Sequence, residues 1–259
     1  MPEATSALLE VRDISVSAIL HHMHLTIGPG EIVALIGPNG AGKSTFLRAC
    51  AHVTPIKSGE VLLCGRPLAS YRARARARLL GFLPQQTSIE VPYSVRDVVE
   101  LGAYARKGGL SPSQTDDILE HVGLQAFASR DVRTLSGGER QRALIGKVLA
   151  QDARLLLLDE PVSGLDVSYQ WDIMQICKGF VTDGQRSVLI TLHDLELVLQ
   201  YADRAVLLHQ GRILMEGAPE VVLTGPALQE AFGVQGNVFA DPVTGIKRLS
   251  LTRTAPSVR

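Results

Sequence analysis

The stretch LLEVRDISVS (residues 8–17) alternates apolar and polar positions, the period-two pattern of a half-buried strand. After HLTIGPGE the alternation stops, and IVALI (32–36) is apolar throughout, as expected of a strand covered on both faces. KSTFLRACAHV (43–53) reads as a helix that Pro55 and KSGE end, and GEVLLCG (59–65) and GFLPQQ (81–86) read as strands. From about Ser88 to Val148 the texture becomes helical. SVRDVVELGAYARKG and SPSQTDDILEHVGLQAF carry helical periodicity, and the second opens on Ser111, Pro112 and early acids. Beyond it, RLLLLDEP predicts a central strand, YQWDIMQICKGFV a helix, and SVLITLHDL a strand running into a helix. RAVLLHQGRILMEG predicts a hairpin turning at HQG. Helices near PEVVL and PALQEAF and a last hairpin around DPVTG complete the pattern. Strands and helices alternating in this way predict a mainly parallel sheet with helices on both faces, into which residues 88–148 insert a helical subdomain.

Composition sharpens this little. Hydrophobic residues make up 46% and aromatics 5%, which suits a core of Val, Leu, Ile and Ala. Lys plus Arg and Asp plus Glu number 26 each, so net charge decides nothing about nucleic acid. No apolar run approaches the roughly 18 residues of a membrane span, and the first residues show no signal-peptide pattern. Cys50, Cys64 and Cys177 stand far apart and read as thiols of a reducing compartment.

Candidate chemistry changes the picture more. GPNGAGKST matches the glycine-rich phosphate loop in full: Gly37, Pro38, Asn39, Gly40, Ala41, Gly42, Lys43, Ser44 and Thr45. Gly37, Gly40 and Gly42 let backbone N–H groups face phosphate oxygens. Lys43 reaches the β- and γ-phosphates, Ser44 offers its hydroxyl to Mg²⁺, and the helix that follows adds its positive end. LLLLDE then places Asp159 at the carboxyl end of a buried strand, where it can hold magnesium, with Glu160 one step on as general base for water. His193 ends another apolar strand, which suits contact with the γ-phosphate. Gln85 can serve Mg²⁺ or the attacking water.

A second cradle, LSGGERQR (135–142), stands apart from the first. Ser136 is a good N-cap and Glu139 occupies the capping-box position. A capping box suffices to start a helix but does not account for two glycines in its first turn, which cost helix stability. With the phosphate loop, the glutamine at 85, the acidic pair, SGLD (163–166) and His193, this segment resembles the ATP-binding subunits of ABC transporters, with the motifs in order over nearly the whole chain. The resemblance implies an α/β P-loop NTPase (RecA-like) fold, with a mainly parallel core, an antiparallel N-terminal part and an inserted helical subdomain. Residues 1–87 and 149–259 would form the ATP-binding core, and 88–148 the subdomain carrying the signature. It also implies that Ser136, Gly137 and Gly138 bind the γ-phosphate of ATP held by a second copy. Magnesium would be shared by Ser44, Gln85 and Asp159. The implied partners are integral membrane permease subunits and, indirectly, a solute-binding protein, with the chain peripheral on the cytoplasmic face of the plasma (inner) membrane. SVRDVVELGAY and the tail EGAPEVVLTGPALQEAFGV resemble the subgroup serving iron–siderophore, haem and cobalamin importers, although AYARKGG replaces that subgroup's usual Arg-x-Pro-His run. Ala18 stands where the family usually carries an adenine-stacking aromatic.

Two segments read more plainly. RARARAR (72–78) spreads its arginines around a helix without interleaved aromatics, so a solvated helix is expected and no nucleic-acid partner. HHMH (21–24) lies in a strand whose alternation splits the histidines between faces, against a metal role. The alternative function, a soluble ABC-type ATPase acting on nucleic acid or ribosomes, lacks the zinc modules, coiled coils or paired domains usual in such chains. A catalytically dead binding module is disfavoured by the intact Lys43, Asp159, Glu160 and His193.

Overall fold

The computed structural model describes residues 7–253. Its centre is a six-stranded sheet. β3 (Ile32–Ile36), β6 (Leu80–Leu83), β7 (Leu155–Leu158), β8 (Ser187–Thr191) and β9 (Arg204–His209) run parallel, and β10 (Arg212–Gly217) pairs antiparallel to β9. The order is β10-β9-β3-β8-β7-β6. β7 therefore lies one strand from the edge rather than at the centre. Its LLLL is buried throughout because both faces are covered, Leu156 and Leu158 lying in one core and Leu155 and Leu157 in the other, not because of its place in the order.

β3 shows why a continuous apolar strand is needed here. Ile32, Ala34 and Ile36 point into one core, shared with helices α3 (Val95–Gly102), α5 (Gly137–Leu149), α6 (Val167–Val181) and α7 (Leu195–Tyr201). Val33 and Leu35 point into the other, shared with α1 (Lys43–Cys50) and the antiparallel sheet. That second sheet joins β1 (Leu9–Val16), β2 (Leu20–Ile27), β4 (Ser58–Leu63) and the short β5 (Arg66–Pro67) in the order β2-β1-β4-β5. The hairpin turning at 209–211 forms as expected. So do α8 (Pro219–Thr224), α9 (Pro226–Phe232) and the terminal hairpin of β11 (Val234–Ala240) and β12 (Lys247–Arg253).

Between β6 and β7 stand α3, α4 (Pro112–His121) and α5. Both α3 and α4 start on full capping boxes, Ser94 with Asp97 and Ser111 with Gln114. Gly102 at the end of α3 lets it press on α5: a Cβ there would lie 1.7 Å from the Lys147 carbonyl oxygen. Gly102→Ala is therefore expected to destabilise the chain by about 3 kcal/mol in denaturant unfolding, since backbone rather than a flexible side chain must move.

The arginine run is less free than its spacing implies. α2 (Ala73–Ala77) is one short helix. Arg74 donates to the Ala105 and Arg106 carbonyls (3.3 and 3.0 Å) and Arg78 to Ala105 (2.7 Å). Two of the four arginines thus hold the chain just after α3 while staying exposed, on a helix with no buried residue. In β2, His22 and His24 share the exposed face on either side of buried Met23, and both reach the Asp13 carboxylate, at 2.8 and 3.5 Å. Cys50 and Cys177 are buried, and burial pushes the Cys177 thiol up to about 12. Among the described residues, no helix is long and apolar enough to cross a membrane.

Candidate nucleotide site

The loop after β3 is shaped by glycines. Gly40 takes φ +81° and Gly37 φ +151°, and a Cβ on Gly37 would lie 2.3 Å from the Leu208 carbonyl oxygen. α1 then begins on Gly42 with no side-chain cap, which leaves the N–H groups of its first turn for an incoming anion. Lys43 is buried, with Nζ donating to the carbonyls of Gly37 (2.7 Å) and Pro38 (3.1 Å). Burial lowers its pKa, and the nearby charges of Glu160 and Asp159 work against that shift. The lysine thus spans the loop, bonded to two of its backbone carbonyls. Ala18 sits exposed in the turn between β1 and β2, and its neighbour Ile19 lies beside the start of α1: a methyl group on Gly42 would come 3.5 Å from Ile19 Cγ2.

The carboxyl ends of β6, β7 and β8 bring the remaining groups together. Asp159, just past β7, is fully buried. Its Oδ1 accepts from the Ser44 hydroxyl (3.0 Å) and the Thr191 hydroxyl (3.1 Å), while Oδ2 is buried without a partner. Burial pushes the Asp159 carboxyl up from its ordinary range, and the two hydroxyl bonds pull it back down. Glu160 has the left-handed φ of +50°. Its carboxylate receives His193 Nε2 at 2.7 Å on Oε1 and the Gln85 amide at 2.8 Å on Oε2. Gln85, Glu160 and His193, read separately from the sequence, form one cluster.

Ser136 caps α5 with a complete capping box: its hydroxyl accepts from Glu139 N–H (3.3 Å), and Glu139 accepts from Ser136 N–H (2.8 Å). The two glycines that follow differ. A Cβ on Gly138 would lie 2.5 Å from the Tyr169 ring on α6, so this glycine has a packing reason inside the chain. Gly137 has none: the nearest atom to its missing side chain is Leu165 Cδ2 at 4.0 Å. No hydrogen bond or ion pair among the described residues links 135–142 to the phosphate loop. Sequence reasoning missed Tyr169 and Thr191. The one available signal for Thr191 was a hydroxyl ending the otherwise apolar VLI run of β8.

A parallel sheet that delivers a glycine-rich loop, a buried lysine and an acidic pair to one edge defines a P-loop nucleotide-binding protein. The family model described as ABC transporter matches residues 20–163. The chain belongs to the ABC transporter family, and its fold is that of the ABC ATPases. The hemin import ATP-binding protein HmuV of Rhizobium meliloti (strain 1021) is 38% identical over 253 residues, covering 92% of this chain and 96% of the relative. The cobalamin import ATP-binding protein BtuD of Halobacterium salinarum is 38% identical over 237 residues, covering 90% of this chain, and the chain spans only 60% of that relative's length. The dimeric ATP-binding cassette MJ0796, in a post-hydrolysis state with ADP and Pi, is similar with TM-score 0.74 and 25% identity over 82% of this chain and 98% of that one.

Proposed function

We propose that this chain hydrolyses ATP to power solute import through a membrane ABC transporter, with ATP held between two copies. The observation that carries this reading is the division of the site. One end of the sheet holds the phosphate loop with Asp159, Glu160 and His193, while Gly137 opens a second helix start that nothing among the described residues fills. Two copies related by a two-fold axis supply each other's missing half, an isologous arrangement. The dimeric state of MJ0796 is consistent with it.

In this reading the amides of residues 37–45 and Lys43 hold the phosphates. Gln85 and His193 orient Glu160, which takes a proton from the water attacking the γ-phosphorus as the bond to ADP breaks. The partner copy's Ser136, Gly137 and Gly138 face the γ-phosphate. The site suits magnesium: Ser44, Asp159 and Gln85 offer oxygen ligands, and the unpartnered, buried Asp159 Oδ2 is an anionic atom that wants a cation. Bound there, magnesium would neutralise charge on the β- and γ-phosphates.

The helices between β6 and β7, as a subdomain of residues 88–148, and the segment after Gln85 would carry closure and separation of the two copies to permease subunits on the cytoplasmic face of the plasma (inner) membrane. A solute-binding protein would act with the permease from the other side. The names of HmuV and BtuD favour haem or cobalamin, with iron–siderophores as the related class. Those names leave the soluble ATPase of nucleic acid or ribosomes without support. The tagged chain is expected to co-purify from membranes with an integral membrane protein. Recovery with ribosomes or DNA and no integral membrane protein would overturn the transporter reading.

A further inference from the structure

The hydroxyl of Thr191 stands at the junction of the two acids. Thr191 ends β8 fully buried. Its Oγ1 accepts the Glu160 backbone N–H at 2.5 Å, and its hydroxyl donates to Asp159 Oδ1 at 3.1 Å. The first bond fixes the peptide at which the chain enters the left-handed conformation of Glu160, the turn that aims the Glu160 carboxylate at His193 and Gln85. The second, with the bond from Ser44, occupies Asp159 Oδ1 and leaves Oδ2 as the free anionic oxygen. One hydroxyl therefore sets the direction of both carboxylates. Among the described residues, no other side chain is bonded to both.

We infer that Thr191 is a positioning residue for hydrolysis, acting through Glu160 and Asp159 without touching the nucleotide. This rests on the reading of Glu160 as the base. A valine would fill the same space and keep the strand, since β8 already carries Val188, Leu189 and Ile190. It would strand the part-buried Glu160 N–H and release Asp159 from one of its two hydroxyls. Groups that orient a catalytic or metal-binding side chain are worth roughly 10–100-fold when removed.

The test compares Thr191→Val, Thr191→Ser and Glu160→Gln in the full chain. Steady-state ATPase, binding of a fluorescent ATP analogue, thermal midpoint and Mn²⁺ affinity of the nucleotide-bound protein by electron paramagnetic resonance are measured for each. Thr191→Val is expected to lose roughly 10–100-fold in kcat, to keep KM and analogue binding within about twofold, and to weaken Mn²⁺ binding. Thr191→Ser, which keeps the hydroxyl, is expected to restore kcat and Mn²⁺ affinity to near the parent values. An unchanged kcat in Thr191→Val, or a serine variant as impaired as the valine one, overturns the inference. If the valine chain does not fold, Thr191→Ala set against Thr191→Ser decides the matter by the same criterion. Parent-like turnover in Glu160→Gln would instead overturn the reading of the base, whatever the threonine variants do.

Discussion

Glu160→Gln is expected to slow ATP hydrolysis by about 10²–10⁴-fold while leaving ATP binding intact. The carboxylate receives both His193 and Gln85, so the position where a proton would be accepted is held by two partners within the chain. Glutamine keeps the size and much of the hydrogen bonding but cannot take that proton. The ATP-bound pair should then accumulate, because separation follows hydrolysis in this account. Gel filtration in Mg-ATP should show the variant as a dimer under conditions where the parent is mostly monomeric. A Glu160→Gln chain that turns over at the parent rate would show that the proton goes elsewhere.

Gly137→Glu carries the second large effect. A Cβ at this position meets nothing nearer than Leu165 Cδ2 at 4.0 Å among the described residues, so the helix start has room for a side chain. An acid in the first turn of α5 also suits the helix dipole, and the thermal midpoint should hold or rise slightly. In the proposed dimer, where this position faces the γ-phosphate of a partner copy, the same charge is repelled. Like charges set against each other at an interface cost several kcal/mol, so hydrolysis should fall by roughly 10²–10³-fold. ATP binding to the variant's own phosphate loop should persist, since Lys43 and the start of α1 are untouched. Full activity in this variant would mean that the glycine faces only solvent.

These expectations come from parts of the molecule that differ in how plainly the sequence shows them. The phosphate loop is a local device: its glycines, lysine and following helix are contiguous, so the motif and the structure coincide. The acidic pair and His193 are legible because buried strands end one or two residues before them and parallel sheets gather strand ends on one side. The tethers from Arg74 and Arg78 to the Ala105 and Arg106 carbonyls are not legible, because they join segments about 30 residues apart and acceptors that belong to the backbone. The order of strands hides likewise, which is why LLLL suggested a central β7 when the strand lies beside the edge. Gly138 and Gly137 look equivalent in the sequence, and only the packing of Tyr169 separates a glycine needed by the fold from one left over. In the proposed dimer, that leftover glycine turns the second cradle from a helix start into half of a shared site.

The shared site is tested most directly by mixing two inactive chains, Lys43→Ala and Gly137→Glu. If each ATP lies between one chain's phosphate loop and the other's signature helix, a mixed dimer has one site with both lesions and one with neither. Equal mixing should restore hydrolysis at about a quarter of all sites, well above the sum of the two variants alone. Activity that stays at that sum would contradict a site built from two chains.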